Sequence, residues 1–338
     1  MESVKVFVGL DYHQDQVQVC VLNEQGDTLL NRSLENDADR LVRVVQGLGE
    51  VQAAALEACC GAADLADQLI QRGWDVSLAH PGFVARMKQN PDKTDYADAR
   101  LLADLLRVGY LPKVWLAPEQ LRRLRRLVRH RQQLVDARRN IKLRIRALLR
   151  ENRLRPAEGV NAWTRRWFAW LRDEAGLKED DRWLMNEHLE MLEQYSGKIQ
   201  EAETRLRRWG EQDAVIQKLL TLGGVGLVTA VTLRAEVGRF DRFSNGKQLA
   251  RFCGVTPRNA SSGNRQADAG LIRAGNPGLR RVLIELGHRL VCRVKGRWAS
   301  LAGRLLGGGK PKNVVIAAVA NRWVRWLYHQ MQPESLTA

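Results

Sequence analysis

The run Val4-Lys5-Val6-Phe7-Val8-Gly9-Leu10-Asp11 reads as a β-strand, because Val4, Val6, Val8 and Leu10 share one face at a period of two. Its last residue is an acid, placed where the strand reaches water. Two more strand-like runs follow, residues 16–22 and 28–34, joined by Asn23-Glu24-Gln25-Gly26-Asp27, a polar segment with the glycine that a hairpin turn wants. Together they predict a three-stranded antiparallel meander. Residues 37–48 then have a helical pattern. Val51-Gln52-Ala53-Ala54-Ala55-Leu56-Glu57 is an apolar run, short for a helix, that fits a buried strand and also ends in an acid. A helix over 62–72 and a strand over 75–79 come next. Residues 93–106 are strongly helical, and Asp95 and Asp98, three apart, project from one face of that helix.

Two strand ends and one helix face thus carry four carboxylates, Asp11, Glu57, Asp95 and Asp98, placed as an RNase H-like nuclease needs them. Two divalent cations held about 3.5–4 Å apart can activate an attacking oxygen and stabilise a leaving one in phosphodiester cleavage, and carboxylates are the ligands such hard ions prefer. Each acid alone has an ordinary reading: a strand-terminal solubilising group, a surface glutamate, an aspartate pair on a solvated helix. Asp15, Asp64, Asp67 and Asp104 compete for the same role, and spacing does not exclude them. The order and placement of the four, taken together, single them out.

At 338 residues and 45% apolar content the chain has material for two or three folded domains. A net charge of +16 points to a polyanionic partner, nucleic acid above all. No run of eighteen apolar residues suggests a membrane span, and the charged, alternating first residues do not form a secretory signal, so the mature chain is expected to stay in the cytoplasm. The five cysteines form no zinc-type spacing and read as reduced packing residues; Cys59-Cys60 is expected to line a buried strand end. His13, two residues past Asp11, reads as a surface strand residue that on occasion serves as an outer-shell group.

The charge is concentrated. Pro118 opens a helical pattern to about Arg155, and residues 121–155 hold fourteen Arg or Lys against two acids. Leu121, Leu124, Val128, Val135, Ile141, Ile145 and Leu148 recur at three and four, leaving a largely arginine outer face. That density exceeds intrahelical pairing, so phosphate contacts are expected from Arg122, Arg123, Arg125, Arg126, Arg129, Arg138, Arg139 and Lys142. After a break near Arg155-Pro156, two interleaved sevens, Met185, Leu192, Ile199, Leu206 and His188, Tyr195, Ala202, Trp209, predict a coiled-coil seam that packs on the basic helix as an antiparallel hairpin or on another protomer. Trp163, Trp167 and Trp170 read as a core-facing stripe, with base stacking as the alternative. Leu222-Gly223-Gly224-Val225-Gly226 between two helical runs resembles a helix-hairpin-helix turn, with a plain tight turn as the alternative. Residues 256–270, with Ser261-Ser262-Gly263-Asn264-Arg265, read as an ordinary polar loop; Arg258, Arg265, Arg273, Arg280 and Arg281 nearby could steady phosphates. Asn276-Pro277 reads as a helix cap and first turn. Gly307-Gly308-Gly309-Lys310 lacks the spacing of a nucleotide-binding loop and reads as a link to a terminal helix.

The Gly-Leu-Asp strand end, Leu-Glu-Ala at 56–58 and Lys-Thr-Asp-Tyr-Ala-Asp-Ala at 93–99 resemble the DEDD transposases of the insertion sequence 110 family. Further on, Phe252-Cys253-Gly254-Val255-Thr256-Pro257-Arg258, Ser261-Ser262-Gly263, Ile272-Arg273-Ala274-Gly275-Asn276 and Leu279-Arg280-Arg281 resemble its C-terminal domain in the same order. The chain departs at Cys59-Cys60-Gly61, where Thr-Gly is frequent, and at Arg273, where Lys is frequent. The resemblance implies an α/β RuvC-like catalytic domain over 1–115, an α-helical coiled-coil region over 116–211, and a mainly α C-terminal transposase domain over 212–338. It implies that Asp11, Glu57, Asp95 and Asp98 hold Mg²⁺ or Mn²⁺, that Ser262 attacks DNA, and that two protomers of a homodimer or homotetramer share the site. It also implies that a structured noncoding RNA, the bridge or seeker RNA, selects donor and target DNA. The rivals are a site-specific DNA invertase of the same superfamily, a metal-only Holliday-junction resolvase-like nuclease with an inert Ser262, and a basic RNA-binding protein with a degenerate nuclease fold.

Overall fold

The alternating face of the first strand has helices to bury it. In a computed structural model, which describes residues 4–88, 94–259 and 268–332, the chain forms two units, Met1–Ala117 and Pro118–Ala338. The first unit runs β1 (Lys5–Tyr12), β2 (Gln16–Asn23), β3 (Thr28–Glu35), α1 (Ala38–Gln46), β4 (Glu50–Glu57), α2 (Ala62–Gln71), β5 (Val76–Ala79), α3 (Pro81–Met87), α4 (Asp95–Arg107) and β6 (Lys113–Val114). One six-stranded sheet has the order β3-β2-β1-β4-β5-β6. β1, β2 and β3 form the predicted antiparallel meander. β4 and β5 run parallel to β1, as strands separated by helical crossovers do, and β6 closes the edge antiparallel. α3 and β6 are short elements without a clear sequence signal.

The period of two assigns the faces. Val6, Val8 and Leu10 of β1, with Ala54 and Leu56 of β4, pack against Leu41, Val45, Leu65 and Leu69 of α1 and α2. Each fully buried Leu there contributes roughly 1.5–3 kcal/mol. On the other face, Ala55 and Phe7 pack with Leu102, Leu105 and Leu106 of α4, and Cys20 and Leu22 pack with Ala99 and Ala103. This mixed α/β unit is compatible with an RNase H-like domain.

The second unit is mostly helical: α5 (Glu119–Glu151), α6 (Arg165–Asp173), α7 (Glu179–Gln212), α8 (Ala214–Leu220), α9 (Leu227–Val237), α10 (Gly246–Phe252), a ribbon of β7 (Pro257–Asn259) and β8 (Asp268–Leu271), then α11 (Pro277–Cys292), α12 (Arg297–Gly307) and α13 (Lys312–Gln330). α5 and α7 pack lengthwise and antiparallel. Leu134 meets Ile199 and Ala202, while Ile141, Ile145 and Leu148 meet Met185, Leu189 and Leu192. Leu134, not Val135, is the buried member of its turn. Trp167 is buried in the same core, and Trp163 and Trp170 pack beside it, as a core-facing stripe does. Asn276 caps α11 by accepting the Leu279 N–H, with Pro277 in its first turn. The segment after Thr256 has paired arms, β7 and β8, where an ordinary polar loop was expected. Among the described residues, no helix is long and apolar enough to cross a membrane.

Candidate metal centre and basic surface

The α4 side of the sheet carries the odd-numbered residues of β1, and Asp11 continues the row of Phe7 and Gly9. β4 is parallel to β1 with Gly9 opposite Ala55 and Leu10 opposite Leu56. Glu57, two residues past Ala55, therefore ends on Asp11's side of the sheet. Gly9 sets how near α4 comes, because a Cβ there would lie 2.0 Å from the Ala99 carbonyl oxygen and 2.6 Å from the Ala103 nitrogen. A glycine inside a strand marks this kind of close backbone approach, so the signal for it lies in the sequence itself.

α4 starts with Asp95, capped by Thr94, whose Oγ1 accepts the Ala97 N–H at 3.2 Å. Asp95 and Asp98 sit in its first turn, where the helix dipole favours acids. The turn is tied to the meander: Gln18, opposite Asp11 in the sheet, donates to Asn31 at 2.7 Å, and Asn31 donates to the Tyr96 carbonyl at 3.1 Å.

Asp11 and Asp95 meet through His13. Its Nε2 lies 3.6 Å from Asp11 Oδ2 and 3.2 Å from Asp95 Oδ2, and one ligand atom from each of the three falls within 4.8 Å of the others. His13 is exposed, but it lies past the end of β1 and stands inside the acid cluster, beyond what its reading as a surface strand residue foresaw. Asp98 is held by Lys88, whose Nζ is 2.6 Å from Oδ1 and 2.7 Å from Oδ2. Burial pushes the Asp11 carboxyl above its usual range; His13 opposes this, and the charges of Asp95, Asp98 and Glu57 reinforce it. Lys88 had no local sequence signal, because nothing near it in the chain indicates a partner ten residues on. Of the competing acids, Asp104 is turned to Arg107 at 2.6 Å and Asp64 to Gln68 at 2.9 Å.

Cys59 and Cys60 are exposed, contrary to the expected lining of a buried strand end, because the strand stops at Glu57 and the chain turns outward before α2. Partial burial of its sulfur, with Glu57 and Asp11 nearby, still holds the Cys59 thiol above its ordinary range. Cys20 and Cys253 are buried packing residues, and Cys292 is exposed.

In the second unit the expected phosphate-contacting residues divide. Arg123, Arg126 and Arg139 are exposed, and Arg122 and Arg138 are half-buried. Lys142 lies over the Trp163 ring, 4.5 Å from its centroid. Arg125 donates Nε and Nη2 to the Ala235 carbonyl at 3.1 and 3.0 Å, and Arg129 forms a two-pronged pair with Glu236 at 2.9 and 3.0 Å. Those two hold α5 to α9. Arg280 is bonded to backbone carbonyls of Gly254, Ile272, Arg273 and Ala274, and Arg281 pairs with Asp136. Arg258 is exposed on β7, and Ser262 and Arg265 lie outside the described residues. Between α8 and α9, Gly224 adopts φ +83° in a short turn and its carbonyl accepts from Arg289.

Comparison with known proteins finds similarity to transposases over most of the chain. Residues 8–153 match a DEDD family model described as transposase, and residues 216–302 match one described as transposase of the IS116/IS110/IS902 family. The chain is 28% identical over 298 residues to a transposase for insertion sequence element IS1111A of Coxiella burnetii, covering 88% of this chain and 80% of that protein. It is 25% identical over 326 residues to the transposase for element IS1328 of Yersinia enterocolitica, covering 94% of both. A probable family 20 transposase of Pseudomonas aeruginosa is 29% identical over 286 residues, covering 83% and 84%.

Proposed function

The chain belongs to the IS110 family of insertion-sequence transposases, enzymes that cut and join DNA strands, and from that premise we propose that Asp11, Glu57, Asp95 and Asp98 form its metal-dependent cleavage site and Ser262 its nucleophile. The first half is supported by placement: Asp11 and Glu57 end two strands on one sheet face, α4 lies close against that face at Gly9, and its Asp95 meets Asp11 around His13. The donor set fits Mg²⁺ or Mn²⁺, since it is mostly hard carboxylate oxygen from separate elements, and the Lys88 ammonium already seated on Asp98 marks a place where positive charge is favoured. Bound there, the ion would supply Lewis-acid activation of the attacking oxygen and charge neutralisation at the phosphate. Asp11 and Asp95, with His13 between them, and Asp98, with Lys88, orient the cage; Gln18 and Asn31 fix the α4 end of it.

The serine assignment rests on the family resemblance of Ser261-Ser262-Gly263. Donor and target DNA would be chosen by base pairing with a structured noncoding RNA held on the basic second unit, and a homodimer or homotetramer would let two protomers complete each site. The catalytic domain is assigned to 1–115, the coiled-coil region to 116–211 and the serine-bearing domain, with its helix-hairpin-helix-like turn, to 212–338. Recombination of a plasmid carrying the native flanks tests the chemistry. Asp11→Asn should abolish both cleavage and covalent protein–DNA species. Ser262→Ala should abolish the covalent species while leaving metal binding intact, and recombination by Ser262→Ala would refute the nucleophile. Sequencing RNA that copurifies tests guidance; heterogeneous RNA alone would favour an invertase acting at fixed sites.

A further inference from the structure

Arg123 and Leu127 on α5 and Arg205, Arg208, Trp209 and Gln212 on α7 line one cleft of about 410 Å³. Its composition is unusual for this helix pair. Along the seam Met185, Leu192, Ile199 and Leu206 of α7 are apolar and buried, while His188 and Tyr195 are half-buried, and one α5 arginine, Arg131, meets an acid, Glu203, at 2.5 Å. Here the heptad position is filled by Trp209, half-buried like His188 and Tyr195, and three arginines line the same cleft with no acid in the lining. Arg205 has one exposed contact with Glu201 at 3.3 Å, a pair worth little in water. Gathering like charges around an aromatic face costs stability in the unliganded protein, and a ligand that is both flat and anionic would relieve that cost.

We propose that this cleft binds one unpaired nucleotide of a single strand, its base stacked on the Trp209 indole, its phosphates held by Arg123, Arg205 and Arg208, and its base edge within reach of the Gln212 amide. Indole rings stack on any base, guanidiniums match phosphate in two-pronged geometry, and such pairings recur where proteins hold single strands. The site adds a defined contact to the polyanion-binding role proposed for this unit, but it requires neither cleavage chemistry nor a guide. RNA and DNA offer the same chemistry, and the test separates them.

Fluorescence anisotropy of the full-length protein with labelled 15-nucleotide single-stranded RNA and DNA, with and without abasic positions, reads the site. Trp209→Ala should weaken binding to the intact strand roughly tenfold and leave binding to the abasic strand and the salt dependence unchanged. Arg123→Ala with Arg208→Ala should weaken both strands and make the salt dependence shallower by about 0.7 for each phosphate that is no longer neutralised. Arg150→Ala, one arginine removed elsewhere on α5, provides the baseline per charge. Trp209→Phe keeps a ring, so recovered binding there separates stacking from misfolding. A larger effect on RNA than DNA, or the reverse, supports the site and identifies its strand. Equal losses on intact and abasic strands for Trp209→Ala, or arginine losses no greater per charge than that of Arg150→Ala, would overturn the proposal. Because the readout is binding, a protein inactive in recombination can still pass, and an active one can still fail.

Discussion

Glu236→Leu should destabilise the second unit more than any change to its exposed arginines. Glu236 is 6% exposed and ties α9 to two other elements, α5 through Arg129 at 2.9 and 3.0 Å and Arg125 at 3.5 Å, and α11 through its cap Asn276 at 2.8 Å. Burial already holds the Arg125 guanidinium below its ordinary pKa, Glu236 counters that, and Arg129 and Arg122 add to it. Leucine keeps the volume and removes the compensating charge. Stranding one partner of a buried ion pair costs about 3–5 kcal/mol, and because Arg129 is 59% exposed and able to turn to water, about 3 kcal/mol is the better figure. In a unit of more than two hundred residues, each kcal/mol moves Tm by about 2–4 °C, so a fall of roughly 6–12 °C is expected by calorimetry or circular dichroism. Arg126→Ala, by contrast, should stay within about 0.5 kcal/mol. A Glu236→Leu protein melting within about 2 °C of wild type would refute the claim that Arg125 and Arg129 serve the fold; about 1 kcal/mol or less would then be at stake.

Three further outcomes follow from the acid site. Gly9→Ala forces its Cβ into the α4 backbone, so it should cost about 1–3 kcal/mol or more and displace Asp95 and Asp98 from Asp11; full cleavage activity would contradict the close-approach account. Asp11→Asn should raise Tm in metal-free buffer at neutral pH, because burial and the neighbouring acids disfavour the charged form. The folded-state pKa of Asp11 is raised, so wild type loses this stability as pH rises through it, and the gain of the variant should fade as pH falls toward the ordinary value of 3.8; a pH-independent gain would point to another cause. Lys88→Ala should bind Mn²⁺ severalfold more tightly by titration calorimetry, since the ammonium competes with the ion for Asp98; unchanged or weaker binding would refute that competition.

Much of the candidate site was legible locally. β1, β4 and α4 declare themselves by period and length, and Asp11, Glu57, Asp95 and Asp98 are marked by standing at the ends or on the first turn of those elements. A strand's two faces and a helix's repeat are properties of consecutive residues, so the sequence by itself determined which side chains share a face and where each acid leaves the core. Other features depended on which distant segments come to lie together. Tertiary structure placed His13 between Asp11 and Asp95 and seated Lys88 on Asp98. It also turned Arg125 and Arg129 from an expected phosphate-binding face to Ala235 and Glu236, more than a hundred residues away, and brought half-buried Trp209 into one cleft with Arg123, Arg205 and Arg208. The physical reason is the same in each case: charge and hydrogen-bond partners are chosen by distances of a few ångströms, and those distances are set by strand register and by how closely one helix approaches its neighbour, which no pattern along the chain encodes.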